Sequence, residues 1–120
     1  MSKYFEDREI ECKCGCGEAD MDSVFMERLD MLRYRYNRPI ILNSAFRCLE
    51  HNVVVGGVAD SPHTKGIAVD IRCTTQEAYW LMKYAIELRF QGIGVAQRGA
   101  KRFIHLDDSD KEIRPNMWSY

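Results

Sequence analysis

The stretch SPHTKGIAVD, residues 61–70, places two side chains that can bind a metal ion seven residues apart, on either side of a glycine. The two are His63 and Asp70, and a third candidate ligand, His105, stands in the later stretch FIHLD. Two imidazoles and one carboxylate suit a zinc ion and leave one coordination position open for water. An open position distinguishes a catalytic zinc site from a structural one. The pattern therefore predicts a metallohydrolase.

Both stretches lead into or contain segments that alternate between apolar and polar side chains, as half-buried strands do. Over residues 67–72 and 102–107 the branched apolar side chains share one face of the strand. Asp70 and His105 fall on the opposite face, where the small Ala68 is expected to leave room beside the carboxylate. Two strands are therefore predicted to present metal ligands on the side turned away from the core.

Two other segments show the 3.6-residue period of amphipathic helices. The first spans residues 22–37, with Asp22 as the predicted N-cap and Pro39 as the residue that ends it. The second begins with a capping-box sequence at residues 74–77 and runs to about residue 89. Its predicted apolar stripe consists of Ala78, Leu81, Met82, Ala85 and Ile86.

The remaining segments complete a small sheet. Residues 39–43 predict a buried strand, and residues 92–95 predict a strand whose glycines allow another backbone to come close. Trp118, near the end of the chain, is expected to cover the core. Together the elements predict a small single α+β domain over residues 1–120, beginning with a cysteine-containing segment at 1–20. Helices are expected on one face of a mainly antiparallel sheet and the zinc cleft on the other.

Composition excludes several classes of protein. The 120 residues are enough for one core, and 17 basic against 18 acidic residues give a net charge of −1. Such a chain has no general attraction to nucleic acid or to an anionic membrane. No apolar run is long enough to span a bilayer, and the first residues lack the apolar centre of a secretory signal. We therefore expect a monomer that is synthesised in the cytoplasm.

The five cysteines do not form an even set for disulfide pairing. Cys12, Cys14 and Cys16 are close together, whereas Cys48 and Cys73 are distant in sequence. Their alternating spacing differs from the Cys-x-x-Cys of a zinc knuckle, so the signal for a second metal site is weak. Free thiols packed in a small core are the favoured interpretation, and a disulfide between the cluster and Cys48 is the main rival.

A set of motifs resembles a known family. In chain order they are SAFR at 44–47, Asn52 followed by the glycine pair 56–57, SPHTKGIAVD at 61–70, GIG at 92–94 and FIHLD at 103–107. Their order and spacing resemble the zinc D-Ala-D-Ala carboxypeptidase family of peptidoglycan peptidases, the M15 peptidases. The resemblance is strongest to the short, phage-associated members, which also begin with a cysteine cluster.

The resemblance implies one zinc ion held by His63, Asp70 and His105. It also implies that Arg47 binds substrate or stabilises the oxyanion, a role that suits the planar fork of donors on a guanidinium. Ser61 is expected either to contact the substrate or, preferably, to shape the loop. The third histidine, His51, has no partner at ligand spacing and is expected to form hydrogen bonds or line the cleft.

One departure from the family pattern concerns proton transfer. Many relatives have a Glu, Asp or His two or three residues before the last zinc ligand, where it acts as general acid or base. Here those positions hold Arg102 and Phe103, which cannot do so. Asp107 is the nearest replacement, and its rival role, which we rank first, is to accept a hydrogen bond that orients a ligand.

The resemblance implies a zinc metallopeptidase that hydrolyses a peptide bond in the stem peptide of peptidoglycan. The bond is either a terminal D-Ala-D-Ala bond or an internal or cross-linking bond, and a phage or prophage origin is expected. Such an enzyme would act on the cell wall after release or as part of a phage particle. The alternative is a non-catalytic cell-wall-binding or structural module that retains the fold and the zinc. A structural zinc protein built on the cysteine cluster is a third and weaker interpretation.

Overall fold

The computed structural model describes residues 2–120 as one α+β domain. Over these residues the α-helices are α1 (Asp7–Ile10), α2 (Ser23–Tyr36), α3 (Leu49–Val54) and α4 (Thr75–Glu87). The strands are β1 (Ile41–Ser44), β2 (Ala68–Arg72), β3 (Gly92–Ala96), β4 (Phe103–Asp107) and β5 (Asn116–Ser119). A 3₁₀ turn, Pro62–Lys65, precedes β2. Within this part of the chain, none of the helices has the length and apolar character needed to cross a membrane.

The strands form a single mixed sheet in the order β1-β2-β4-β3-β5. The β1–β2, β2–β4 and β4–β3 pairs are antiparallel, and only β3 and β5 run parallel. The predicted class, a small α+β domain with a mainly antiparallel sheet, is therefore confirmed. The two long helices, α2 and α4, pack on the branched face of β2 and β4 to form the core.

The long helix α2 begins at the predicted cap. The Asp22 side chain accepts a hydrogen bond from the backbone N–H of Phe25 at 2.9 Å. The helix ends at Tyr36, because Asn37 adopts the left-handed conformation with φ of 56°, two residues before Pro39. The buried side of α2 consists of Phe25, Met26, Leu29, Leu32 and Tyr36. This helix therefore contributes a continuous apolar stripe to the core.

The second long helix, α4, opens with the predicted capping box, in which Thr74 and Glu77 satisfy each other's backbone N–H groups. Its buried side is narrower than predicted. Ala78, Leu81 and Ala85 are buried, whereas Ile86 is 53% exposed. The stripe of α4 therefore contributes one large side chain, Leu81, and two alanines to the core.

The strand β1 differs from its prediction as a buried strand. It lies at the edge of the sheet and pairs only with β2, so only one of its faces is covered. Leu42 is buried, but its neighbour Ile41 is 47% exposed. An apolar run of this length does not distinguish a central strand from an edge strand, because both positions in a sheet tolerate branched side chains.

The C-terminal residues also differ from their prediction. Residues 116–119 form β5 beside β3, and Trp118 lies opposite Gly94 in that pairing. The indole consequently lies on the sheet face away from the helices, where its ring centroid is 5.5 Å from that of His105. The expectation that Trp118 covers the core is therefore wrong, because β5 places the side chain on the other face.

Gly66 provides a test of the loop that carries His63 into place. Gly66 has φ of +71°, and a Cβ there would lie 2.2 Å from the backbone oxygen of Asp20. Gly99 has a similar φ of +73°, but a Cβ there would meet nothing within 4 Å. We expect Gly99→Ala to cost about 1 kcal/mol in the free energy of unfolding and Gly66→Ala roughly 1–3 kcal/mol more. Urea denaturation of both variants measures the difference, and equal costs would contradict this account of the loop.

Candidate metal centre

One row of residues crosses the whole sheet and defines the site. Asp70 pairs with Ser44 on one side and with His105 on the other. His105 in turn lies opposite Gly94, and Gly94 lies opposite Trp118. Directly opposed residues on neighbouring strands point to the same face. The register therefore brings the carboxylate, the imidazole and the indole together on the face away from the helices.

The third predicted ligand, His63, approaches this row from the 3₁₀ turn. Ser61 caps the turn, since its Oγ accepts a hydrogen bond from the backbone N–H of His63 at 3.3 Å. The His63 Nδ1 atom lies 2.9 Å from the carbonyl oxygen of Ala45, which can only accept, so Nδ1 carries the proton. The other ring nitrogen, Nε2, is left as a lone-pair donor and lies 3.4 Å from Asp70 Oδ2.

The structure brings all three predicted ligands together. His105 Nδ1 lies 2.9 Å from Asp70 Oδ1, and one ligand atom each from His63, Asp70 and His105 lies within 4.8 Å of the others. His63 and His105 are buried, being 4% and 7% exposed. Two nitrogens on buried rings of fixed orientation and one oxygen on the partly buried Asp70, at this spacing, fit a zinc ion with one side open to the cavity.

The carboxylates and histidines of the site stabilise each other's charged forms. Burial raises the pKa of Asp70, but hydrogen bonds from His105 and His63 outweigh it and hold that pKa below its usual range. Burial lowers the pKa of His105, whereas its hydrogen bonds with Asp107 and Asp70 raise it to about 9. Metal binding near neutral pH must therefore displace a proton from His105.

Asp107 lies behind His105 and is completely buried. One of its oxygens, Oδ2, is 2.7 Å from His105 Nε2, while Arg114 donates to both oxygens at 2.9 Å and the Ser109 N–H donates at 3.1 Å. Burial alone would raise the pKa of Asp107, but these donors lower it below the usual range. A Cβ on Gly92 would lie 2.4 Å from Asp107 Oδ1 and 2.5 Å from Arg114 Nε, so only glycine at position 92 leaves room for the contact between Asp107 and Arg114.

Arg47 lies in the wall of the same cavity as the three ligands. Its Nη1 donates to Asn52 Oδ1 at 2.9 Å, and its backbone N–H donates to the carbonyl of His63 at 3.1 Å. Gly57 is needed beside this contact, because a Cβ there would lie 2.0 Å from Asn52 Oδ1. The motif residues 47, 52 and 57 thus form one packed unit that orients the guanidinium. His51 belongs to neither group of clustered metal-binding side chains in the described chain.

The site opens into a cavity of about 560 Å³. One wall was not predicted from the sequence, and it is formed by Glu112, Arg114, Asn116, Trp118 and Tyr120. Residues 116, 118 and 120 are alternate positions of one segment, so the period of a strand was a signal that could have identified part of this wall. The link from Arg114 to Asp107 had no such signal, because it depends on the tail folding back beside β3.

The glycines of β3 allow this wall to form. A Cβ on Gly94 would lie 2.7 Å from Trp118 Nε1, so the indole occupies the space that a side chain would need. The predicted close approach at residues 92–95 is therefore present, but side chains rather than another backbone make it. Ala68 lies opposite Asp107 in the β2–β4 pairing and two residues before Asp70 on the same face of β2, so this small side chain is a neighbour of both carboxylates.

Comparison with known proteins identifies a family. Residues 3–107 match the family model described as Peptidase M15. The matched range includes the three clustered ligands and Asp107, and it ends before the C-terminal wall of the cavity. A search of curated proteins finds no match to this chain.

The metal centre predicts the effect of removing one ligand. His63→Ala should lose one equivalent of zinc per chain, because two remaining ligands do not hold the ion. His51→Ala is the matched control, since His51 stands outside the clustered ligands and should leave the zinc content unchanged. Metal analysis after dialysis measures both contents. An unchanged zinc content in His63→Ala would show that the zinc ion binds elsewhere in the protein.

Proposed function

We propose that this chain, which belongs to the Peptidase M15 family of zinc metallopeptidases, hydrolyses a peptide bond in the stem peptide of peptidoglycan. The observation that supports a hydrolytic role is the cluster of His63, Asp70 and His105 at the base of an open cavity. The bond is the terminal D-Ala-D-Ala bond, cut by a carboxypeptidase, or an internal bond, cut by a murein endopeptidase. The resemblance to short phage-associated members supports a phage or prophage origin.

His63, Asp70 and His105 are the residues that would hold the zinc ion. A zinc ion bound there supplies a Lewis acid and lowers the pKa of a coordinated water towards about 7. Asp107 acts on His105 from behind, because its hydrogen bond to Nε2 fixes the ring so that Nδ1 faces the metal position. Arg114 keeps Asp107 ionised and in place.

Arg47 supplies the positive charge for the substrate. Its Nη1 is engaged by Asn52, whereas its Nη2 makes only a 3.5 Å contact with Ser44 Oγ. The remaining N–H groups can bind a carboxylate or the oxygen of a polarised peptide carbonyl, for which the guanidinium geometry is suited. Ser61 supports the loop instead, because its Oγ caps the turn that carries His63.

Proton transfer requires a group that can reach the reacting atoms. The contacts of Asp107 support the positioning role over the role of general acid or base, because both oxygens are held by Arg114 and the side chain is fully buried. Among the described residues that line the cavity, the carboxylates are Asp70, Asp107 and Glu112. Asp70 is a proposed ligand, so Glu112, an exposed residue that lines the cavity, is the carboxylate that remains for proton transfer.

A non-catalytic cell-wall-binding module is the second candidate function. It is favoured by the residues at positions 102 and 103, an arginine and a phenylalanine, because many relatives carry a proton-transfer residue at one of these positions. In that case the zinc would stabilise the fold, and the cavity would bind the stem peptide without cutting it. The two functions differ in one outcome, the release of fragments from the cell wall.

Digestion of purified peptidoglycan tests the proposal. Zinc-loaded protein should release free D-alanine if it is a carboxypeptidase, or shorter or uncrosslinked stem peptides if it is an endopeptidase, as identified by mass spectrometry. A chelator and the His63→Ala substitution should each reduce release to background, because both remove the ion. Release that resists the chelator would overturn the zinc mechanism. Binding to peptidoglycan without any released fragment would instead select the non-catalytic module.

Substitution of the two cavity carboxylates separates their roles. Glu112→Gln should lower kcat by roughly 10²–10⁴-fold at unchanged zinc content, because it removes only proton transfer. Asp107→Asn should instead weaken zinc binding by roughly 10–100-fold, because it loosens His105. Asp110→Asn, an exposed neighbour on the same segment, is the control and should change neither property. Full activity of Glu112→Gln would exclude Glu112 as the proton carrier.

A further inference from the structure

Four cysteines form a second cluster, which lies outside the lining of the cavity. The side chains of Cys12, Cys14, Cys16 and Cys48, here called the thiol cluster, each offer a sulfur within 4.8 Å of the others. All four are free thiols, so the predicted rival, a disulfide to Cys48, is not formed. The fifth cysteine, Cys73, is buried in the core and does not belong to the cluster.

The loop at residues 12–18 explains how an alternating spacing can produce this cluster. The backbone N–H of Cys12 donates to the carbonyl of Glu18 at 2.7 Å, which closes the loop. Gly15 and Gly17 have φ of +90° and +82°, and a Cβ at either position would meet nothing within 4 Å. Glycine is therefore needed here for its backbone conformation rather than for space. The left-handed turns allow the three sulfurs of the loop to converge on Cys48.

The distances between sulfurs match a shared metal ion. Cys12 Sγ lies 3.5 Å from Cys14 Sγ and 3.7 Å from Cys48 Sγ, and the Cys14–Cys48 distance is also 3.7 Å. In a tetrahedral zinc site with Zn–S bonds of about 2.3 Å, neighbouring sulfurs are about 3.8 Å apart. Three sulfurs thus already occupy positions close to one face of such a tetrahedron, and Cys16 supplies the fourth.

Backbone donors support negative charge on these sulfurs. The N–H of Cys48 points at Cys12 Sγ at 3.3 Å, and the N–H of His51 points at Cys48 Sγ at 3.4 Å. Hydrogen bonds to a charged acceptor favour its charged form, and thiolates rather than thiols bind metal. The cluster thus combines ligand number, ligand spacing and charge-stabilising donors.

We propose that the thiol cluster binds a second, structural zinc ion through four thiolates. Four protein ligands complete a tetrahedral shell and leave no position for water, so this ion has no part in hydrolysis. Each thiol that is still protonated releases its proton to solvent as the ion binds. The count of one zinc ion implied by the family resemblance would become two.

The position of the cluster defines what the ion would stabilise. Cys48 directly follows Arg47, and the backbone N–H of Phe46 donates to the carbonyl of Ile10 at 3.1 Å. The ion would therefore join the N-terminal segment to the start of α3, next to the arginine of the cavity wall. Its loss should loosen this wall and lower the stability of the domain.

Metal content tests the inference independently of activity. Under reducing conditions the wild-type protein should bind about two zinc ions, and His63→Ala and the double variant Cys14→Ser/Cys16→Ser about one each, because each of these leaves only two protein ligands at one site. The triple variant His63→Ala/Cys14→Ser/Cys16→Ser should bind none. Cys14 and Cys16 are chosen because both are exposed, so serine there does not disturb the core. Cys73→Ala is the matched control and should keep both ions. A wild type that binds one ion, with the zinc content of Cys14→Ser/Cys16→Ser unchanged, would overturn the inference and leave the metal centre of the cavity intact.

Cobalt substitution gives a second readout that needs no variant. The ligands of the cavity site are nitrogens and an oxygen, so only the thiol cluster can produce thiolate-to-cobalt charge-transfer absorption. Wild-type protein loaded with Co²⁺ under reducing conditions should show this band together with the intense visible bands of tetrahedral cobalt. Absence of the charge-transfer band would overturn the proposed thiolate site.

Thermal unfolding tests the structural role of the ion. In His63→Ala, where the thiol cluster holds the one remaining zinc ion, removal of that ion should lower the Tm of the domain, and an unchanged Tm would contradict the structural role.

Discussion

The antiparallel pairing of β2 with β4 is the constraint on which the site depends. It places Asp70 directly opposite His105 and places Val69 and Ile71 opposite Leu106 and Ile104 on the other face. Successive side chains alternate between faces, so a slip of one residue would bury the carboxylate and expose the branched side chains. The packing of the core against α2 and α4 therefore also fixes the register of the metal ligands.

Around this pair the protein uses glycine to admit large or charged groups where a side chain would exclude them. Gly92 leaves room for the contact between Asp107 and Arg114, and Gly94 leaves room for the indole of Trp118. The buried ion pair is expensive to desolvate but is fully hydrogen-bonded, which is the condition under which such a pair persists. A stiff polar support of this kind orients His105 more narrowly than packing alone would.

Much of the site was accessible from the sequence because it rests on local patterns. The spacing of His63 and Asp70, the alternation around His105 and the capping residues Asp22 and Thr74 each act within a few residues, and the structure places the three ligands together. The errors concern long-range contacts. The edge position of β1, the turn of Trp118 towards the site and the convergence of four cysteines all depend on which segments meet in space.

The sequence by itself determined the ligand types, the two faces of each strand and the two long helices, because hydrophobic period and side-chain chemistry are local properties. Only the tertiary structure decided the role available to Asp107, since Arg114 reaches it after the tail has added a strand beside β3. The same holds for the thiol cluster. Cys48 is 36 residues from Cys12, and the two sulfurs meet only because the N-terminal segment lies along the start of α3.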